Sequence, residues 1–170
     1  MTHMVVMGVA GCGKSMLSRQ IAQRLGCEGV EGDDFHLPAS QEKMRAGIPL
    51  DDTDREPWLA AIGRMMAAAP GDIVVSCSAL KRKYRDLLRA HVPGVLFVYL
   101  EIDVHTAAQR VGGRSGHLFP TSLVASQFAS LESPDGEPGV LTVSALQPTP
   151  AQVEAVTHWL AQRDAAAISH

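Results

Sequence analysis

An α/β domain with a five-stranded parallel sheet, helices on both faces and a lid segment is the fold that this sequence predicts. Three observations predict it. Short apolar runs alternate with segments of helical period along the 170 residues, as βαβ units require. Turn-forming Gly, Pro and Asp punctuate the alternation. A glycine-rich segment, Gly8 to Ser15, lies between the first apolar run and the first helical pattern, where open parallel sheets carry ligands. No internal repeat or linker divides the chain, so residues 1–170 read as one domain, with a substrate segment over about 32–70 and a lid over about 110–131.

Taken in order, Met4 to Met7 is a buried strand, and Met16, Leu17, Ile21, Ala22 and Leu25 give the helical period of a segment from Lys14 that Gly26 closes. A short strand at Gly29 to Glu31 leads into Gly32-Asp33-Asp34-Phe35-His36. Ser40 is expected to cap a helix ending near Arg45, and Asp54 to cap the next, which carries Pro57 in its first turn and runs through Trp58, Leu59, Ile62, Met65 and Met66. After the Pro70-Gly71-Asp72 turn, Ile73 to Val75 is a strand and Ala79 to His91 a helix. Val95 to Leu100 is the fourth strand; Asp103 caps a helix with Val104, Ala107, Ala108 and Val111 on its core face. Glycines 112, 113 and 116 interrupt this pattern, and a further helix covers Ser122 to Leu131. Val140 to Val143 is the last strand; Thr149 and Gln152 form a capping box for a helix to about Arg163, and the Ala165 to His170 tail is expected to fray.

Composition narrows the function classes. A net charge of −3 and a pI near 6.1 give no basic excess for general nucleic-acid binding. No apolar stretch is long enough to span a membrane, and the first strand starts too early for a signal peptide, so the expected location is cytoplasmic. Cys12, Cys27 and Cys77 are odd in number and lack metal-ligand spacing. Cys12 reads either as an exposed thiol in a positive field or, more readily, as a small inert loop residue.

Gly8-Val9-Ala10-Gly11-Cys12-Gly13-Lys14-Ser15 fits the phosphate-loop spacing. Its glycines let successive backbone N–H groups turn toward phosphate oxygens, Lys14 reaches the outer phosphates, and the Ser15 hydroxyl is a Mg²⁺ ligand. The expected ligand is ATP or GTP. Asp33 is the first choice for a base that accepts a hydroxyl proton, with His36 beside it; Asp34 reads equally as a cap. No acid ends the third strand, and Asp33 acting on Mg²⁺ through a water is the expected substitute. Lys81, Tyr84 and Arg85 share a helical face that suits an anion, although alone the run reads more readily as a solvated basic face. Arg110, Arg114 and His117 suit either a lid over phosphates or a surface turn.

Together with Lys43-Met44, Gly47-Ile48-Pro49-Leu50, Asp52, Asp54-Arg55, Pro57-Trp58-Leu59, Cys77-Ser78-Ala79-Leu80-Lys81, Tyr84-Arg85 and Gly116-His117, these motifs resemble the gluconokinases of the small P-loop kinase type over nearly the whole chain. The resemblance implies a nucleoside monophosphate kinase-like fold, ATP-dependent phosphorylation of the terminal hydroxyl of D-gluconate, Mg²⁺ and a homodimer, while charge balance and hydropathy set the expectation of no nucleic-acid or membrane partner. It implies Lys14, Asp33, Arg110 and Arg114 as catalytic. Gly8, Gly11, Cys12, Gly13, Lys14, Ser15, the adjoining Met16, Arg110 and Pro148 form the implied nucleotide set, and Asp33, His36, Arg55, Lys81, Arg85 and His117 the sugar-acid set. Pro120 departs from the Lys frequent there in the family. A shikimate, adenylylsulfate or nucleotide kinase, and a non-catalytic nucleotide-binding module, are the alternatives; with no Asn in the chain, the guanine motif of GTP switches is absent.

Overall fold

The structure is a computed structural model that describes residues 1–112 and 123–168. Five strands, β1 (His3–Met7), β2 (Glu28–Glu31), β3 (Ile73–Ser76), β4 (Leu96–Glu101) and β5 (Val140–Ser144), form one parallel sheet in the order β2-β3-β1-β4-β5. The described helices are α1 (Lys14–Leu25), α2 (Pro38–Arg45), α3 (Asp52–Ala67), α4 (Arg82–His91), α5 (Val104–Gly112), α6 (Val124–Ser130) and α7 (Thr149–Ile168). A 3₁₀ turn occupies Gly32–Phe35. Strand order reverses at β1, so the loop after β1 opens into the crevice where such sheets bind ligands.

Alternation along β1 sorts its side chains to opposite faces. Met4 and Val6 join α1 (Leu17, Ile21), α5 (Ala107, Val111) and α7 (Val153, Val156) in one core. Val5 and Met7 join α3 (Trp58, Leu59, Ile62, Met66) and α4 (Tyr84, Leu88) in the other. Each fully buried Val, Leu, Ile or Met among them contributes about 1.5–3 kcal/mol. The central strands are buried nearly end to end, whereas the edge strands β2 and β5 are largely part-exposed, unlike the uniformly buried strands expected.

Several helix boundaries differ from the sequence expectation, each for a local reason. Leu37 caps α2, which starts at Pro38; Ser40 is buried inside it. Asp51, not Asp54, caps α3: the Asp51 side chain accepts the Asp54 N–H at 2.9 Å, and the Asp54 side chain accepts the Asp51 N–H at 3.0 Å. Pro57 therefore lies within the helix, past its first turn. α4 starts at Arg82 because Ala79 adopts φ 45°, a left-handed conformation that cannot continue a helix. In α5 only Ala107 and Val111 are buried, while Val104 and Ala108 face solvent; Asp103 does accept the Thr106 N–H at 2.8 Å. Gln152 makes no capping box with Thr149, since its amide donates to the carbonyls of Ser144 and Gln147. α7 runs on through Ala165 to Ile168 rather than fraying there.

Candidate active site

The carboxyl ends of β1, β2 and β3 open on one cleft of about 200 Å³. One wall is the phosphate loop and the first turn of α1, including Gly11, Gly13, Lys14, Ser15 and Met16. Gly13 caps α1 in the left-handed region, and Gly11, at φ 83°, packs so closely on α5 that a Cβ there would lie 2.8 Å from the Ala107 carbonyl oxygen. Lys14 Nζ donates to the Val9 carbonyl at 3.2 Å, folded along its own loop. Gly8 and Cys12 stand behind this wall. Cys12 is buried, which pushes its thiol pKa up despite the charge of Lys14, so the inert-residue reading applies.

The second wall is the end of β2. Parallel register pairs Glu31 with Ser76, and the Glu31 carboxylate accepts from Ser15 Oγ at 2.8 Å and from Ser76 Oγ at 2.9 Å. An acid thus does stand at the strand ends, but on β2 rather than after β3. Sequence reasoning passed over Glu31; its signal was the Glu-Gly-Asp spacing, in which Gly32 is obligatory because a Cβ there would run into the Ser76 carbonyl. Hydroxyl and carboxylate oxygens of this kind are hard donors suited to Mg²⁺.

Asp33 follows on the 3₁₀ turn, exposed and lining the cleft; Asp34 is exposed and outside the lining. His36 is buried, with Nε2 3.7 Å from Asp33 Oδ1 and its ring stacked on Trp58 at 4.0 Å between centroids. Trp58 also donates from Nε1 to the Gly32 carbonyl at 2.7 Å, so one indole fixes both the turn and the imidazole. Burial lowers the His36 pKa below 6.5, assisted by Arg55 and opposed by Asp33, which leaves the ring neutral near pH 7. Its Nδ1 is buried with no partner among the described residues.

The third wall comprises Ile48, Pro49 and Leu50, together with Arg55 and Trp58 of α3. Arg55 Nη1 donates to the Tyr84 hydroxyl at 3.3 Å, and that hydroxyl donates to Asp52 Oδ1 at 2.5 Å. Lys83 pairs with the same carboxylate, and Lys81 Nζ lies 3.6 Å from it. Bonds from Lys83 and Tyr84 hold the Asp52 pKa down to about 2.

The structure does not bring Lys81, Tyr84 and Arg85 together as one anion-binding face. Lys81 precedes α4 and faces Asp52, and neither it nor Arg85 lines the cleft. Arg85 is fully buried: Nε and Nη2 meet the Glu137 carboxylate at 2.9 and 2.7 Å, Nη1 meets the Ala79 carbonyl at 2.8 Å and Nη2 the Glu132 carbonyl at 2.9 Å. Burial alone would raise the Glu137 pKa, but bonds from Arg85 and Arg89 offset that and leave it lowered. With all its donor nitrogens engaged, Arg85 is a brace for the loop after β3. Arg110 reaches the Gly11 carbonyl at 3.4 Å and the Ala145 carbonyl at 3.1 Å, linking the phosphate loop to the loop after β5 that carries Pro148. Arg114 and His117 lie outside the described residues.

A family model of the AAA domain matches residues 4–134. A gluconokinase of Gluconobacter oxydans is 41% identical over 163 residues, covering 94% of this chain and 92% of its own. The chain belongs to the gluconokinase family. The thermoresistant gluconokinase of Escherichia coli is likewise 41% identical, over 85% of each chain. The crystal structure of a gluconokinase from Sinorhizobium meliloti superimposes with a TM-score of 0.89 at 43% identity, covering 99% of this chain and 98% of that one. Within this gluconokinase fold, the three walls occupy the crevice at the topological switch point.

Proposed function

We propose that this chain transfers the γ-phosphoryl group of ATP to the terminal hydroxyl of D-gluconate, giving 6-phosphogluconate and ADP. The observation that carries the reading is the convergence of Lys14 and Ser15 with Asp33, His36 and Arg55 on one cleft, in a chain of the gluconokinase family. Gluconate offers one carboxylate and a row of hydroxyls; Arg55 suits the first, and Asp33 with His36 Nδ1, which no described residue partners, suits the second. Asp33 accepts the proton of the terminal hydroxyl as its oxygen bonds to the γ-phosphorus and the bond to the β-phosphate oxygen breaks. Lys14 swings from the Val9 carbonyl to the phosphates and follows the charge that develops on them.

Ser15 and Glu31 would hold Mg²⁺, with Ser76 steadying Glu31 and Asp33 acting through a water. When bound, the ion neutralises charge on the phosphate oxygens. Arg110 and Pro148 fit the nucleotide side, and Arg114 and His117 remain assigned through the family. A cytoplasmic, homodimeric enzyme of gluconate utilisation belongs to the same reading.

The test is phosphorus NMR of the product made from Mg-ATP and D-gluconate. A phosphomonoester split into a triplet by two methylene protons is expected. A doublet would move transfer to a secondary hydroxyl, and the absence of any new phosphomonoester would overturn the reading.

A further inference from the structure

Helix α6 brings two polar side chains to the cleft, Ser126 and Gln127, and the reaction as described so far uses neither. Gln127 lines the cleft beside Ala10 of the phosphate loop, and its Oε1 accepts the Ala10 N–H at 2.7 Å across 117 residues of chain. The donor fixes which way the amide faces: the oxygen must meet an N–H, so the amide nitrogen takes the opposite position. Among the described residues Nε2 has no acceptor. An amide pinned at one end, with two N–H bonds at the other that no described residue accepts, beside a loop built to hold phosphates, matches a ligand whose oxygens only accept.

We infer that Gln127 is a neutral catalytic donor of this kinase: Oε1 holds the phosphate loop at Ala10, while Nε2 donates to the oxygens of the transferring phosphoryl group. The inference rests on the kinase reading and deepens it. Charge on those oxygens changes during transfer, and a donor already held in place needs no reorganisation to follow it. Lys14 carries a full charge and leaves the Val9 carbonyl to act. Gln127 differs in that its loop contact can persist through the cycle while its free end works.

Two substitutions separate a donor from a mere brace. Gln127→Glu keeps an acceptor oxygen for the Ala10 N–H but replaces the donor with an anion; Gln127→Ala removes both. Each is compared with wild type in a coupled ADP-release assay with D-gluconate, and ATP affinity is measured separately by calorimetric titration. Loss of the donor is expected to lower kcat by about 10–100-fold in Gln127→Ala, with KM for gluconate within about threefold. Gln127→Glu should lose at least as much, and should bind ATP more weakly than Gln127→Ala. If Gln127→Glu is the more active variant, or binds ATP as tightly as wild type, the side chain only braces the loop and the inference falls. The wild-type assay separates this from failure of the kinase reading, because a wild-type protein that makes no ADP with gluconate rejects that reading first.

Discussion

On the phosphate-loop side of the cleft, the functional groups come from the contiguous segment Gly8 to Ser15, and their order in the chain is nearly their order in space. On the facing side, Glu31 and Ser76 meet through strand register, His36 is placed by Trp58, and Arg55 is held by Tyr84 from a different helix. A local motif tolerates change around it as long as its own backbone survives, whereas a wall assembled from several elements is weakened wherever one support is removed. The phosphate-loop side recognises a ligand common to many kinases, and the facing side, made of the second and third walls, is where acceptor choice has to reside.

The largest effect should come from the residue that joins the two sides of the cleft chemically. Asp33→Ala is expected to lower kcat by about 10²–10⁴-fold while an ATP analogue still binds in calorimetry, and Lys14→Ala to lose both binding and turnover. Normal turnover in Asp33→Ala would remove the base assignment and leave the acceptor wall without its main chemical task. Next in size is Glu31→Ala. It takes away the carboxylate that both Ser15 and Ser76 contact, and should raise the Mg²⁺ concentration needed for half-maximal rate by about 10–100-fold. An unchanged magnesium titration would return that role to Asp33 alone.

Tyr84→Phe tests support at a distance. The phenol touches Arg55 and Asp52 and does not line the cleft, so its loss should raise KM for gluconate by about fivefold, near 1 kcal/mol for one hydrogen bond, and leave KM for ATP unchanged. Equal changes in both constants would indicate general loosening instead. The smallest effect concerns pH. Burial keeps the His36 pKa below 6.5 in the folded chain, so the unfolded chain binds that proton more readily. Stability from this residue is fully present above the unfolded pKa and declines as pH falls below it, with a slope no steeper than about 1.4 kcal/mol per pH unit. Melting temperatures of wild type and His36→Gln measured from about pH 7 down to about pH 5 should converge; parallel curves would contradict the assignment.

The same contrast explains what was legible in the sequence. The sheet, the phosphate loop and α1 follow from local period and glycine spacing, and these agree with the observed elements to within a residue or two. Asp33, His36 and Arg55 were legible from their residue types and from the motifs around them, and all three line the cleft. Arg85 was not, because spacing on a helix cannot show that Glu137, far along the chain, captures the guanidinium in the interior. Glu31 and Gln127 escaped for the converse reason: their contacts to Ser76 and Ala10 depend on strand register and on how α6 packs. The start of α4 was misplaced because Ala79 takes a left-handed conformation that its residue type does not announce.

The most direct measurement is the rate of ADP release from Mg-ATP with D-gluconate, shikimate, adenylylsulfate, nucleoside monophosphates and no acceptor compared side by side. The account predicts turnover of about 1–100 s⁻¹ with gluconate alone. ADP release with a different acceptor would leave the phosphate-loop wall standing and refute the account of the acceptor wall, and equal release with no acceptor would refute phosphoryl transfer to a sugar acid altogether.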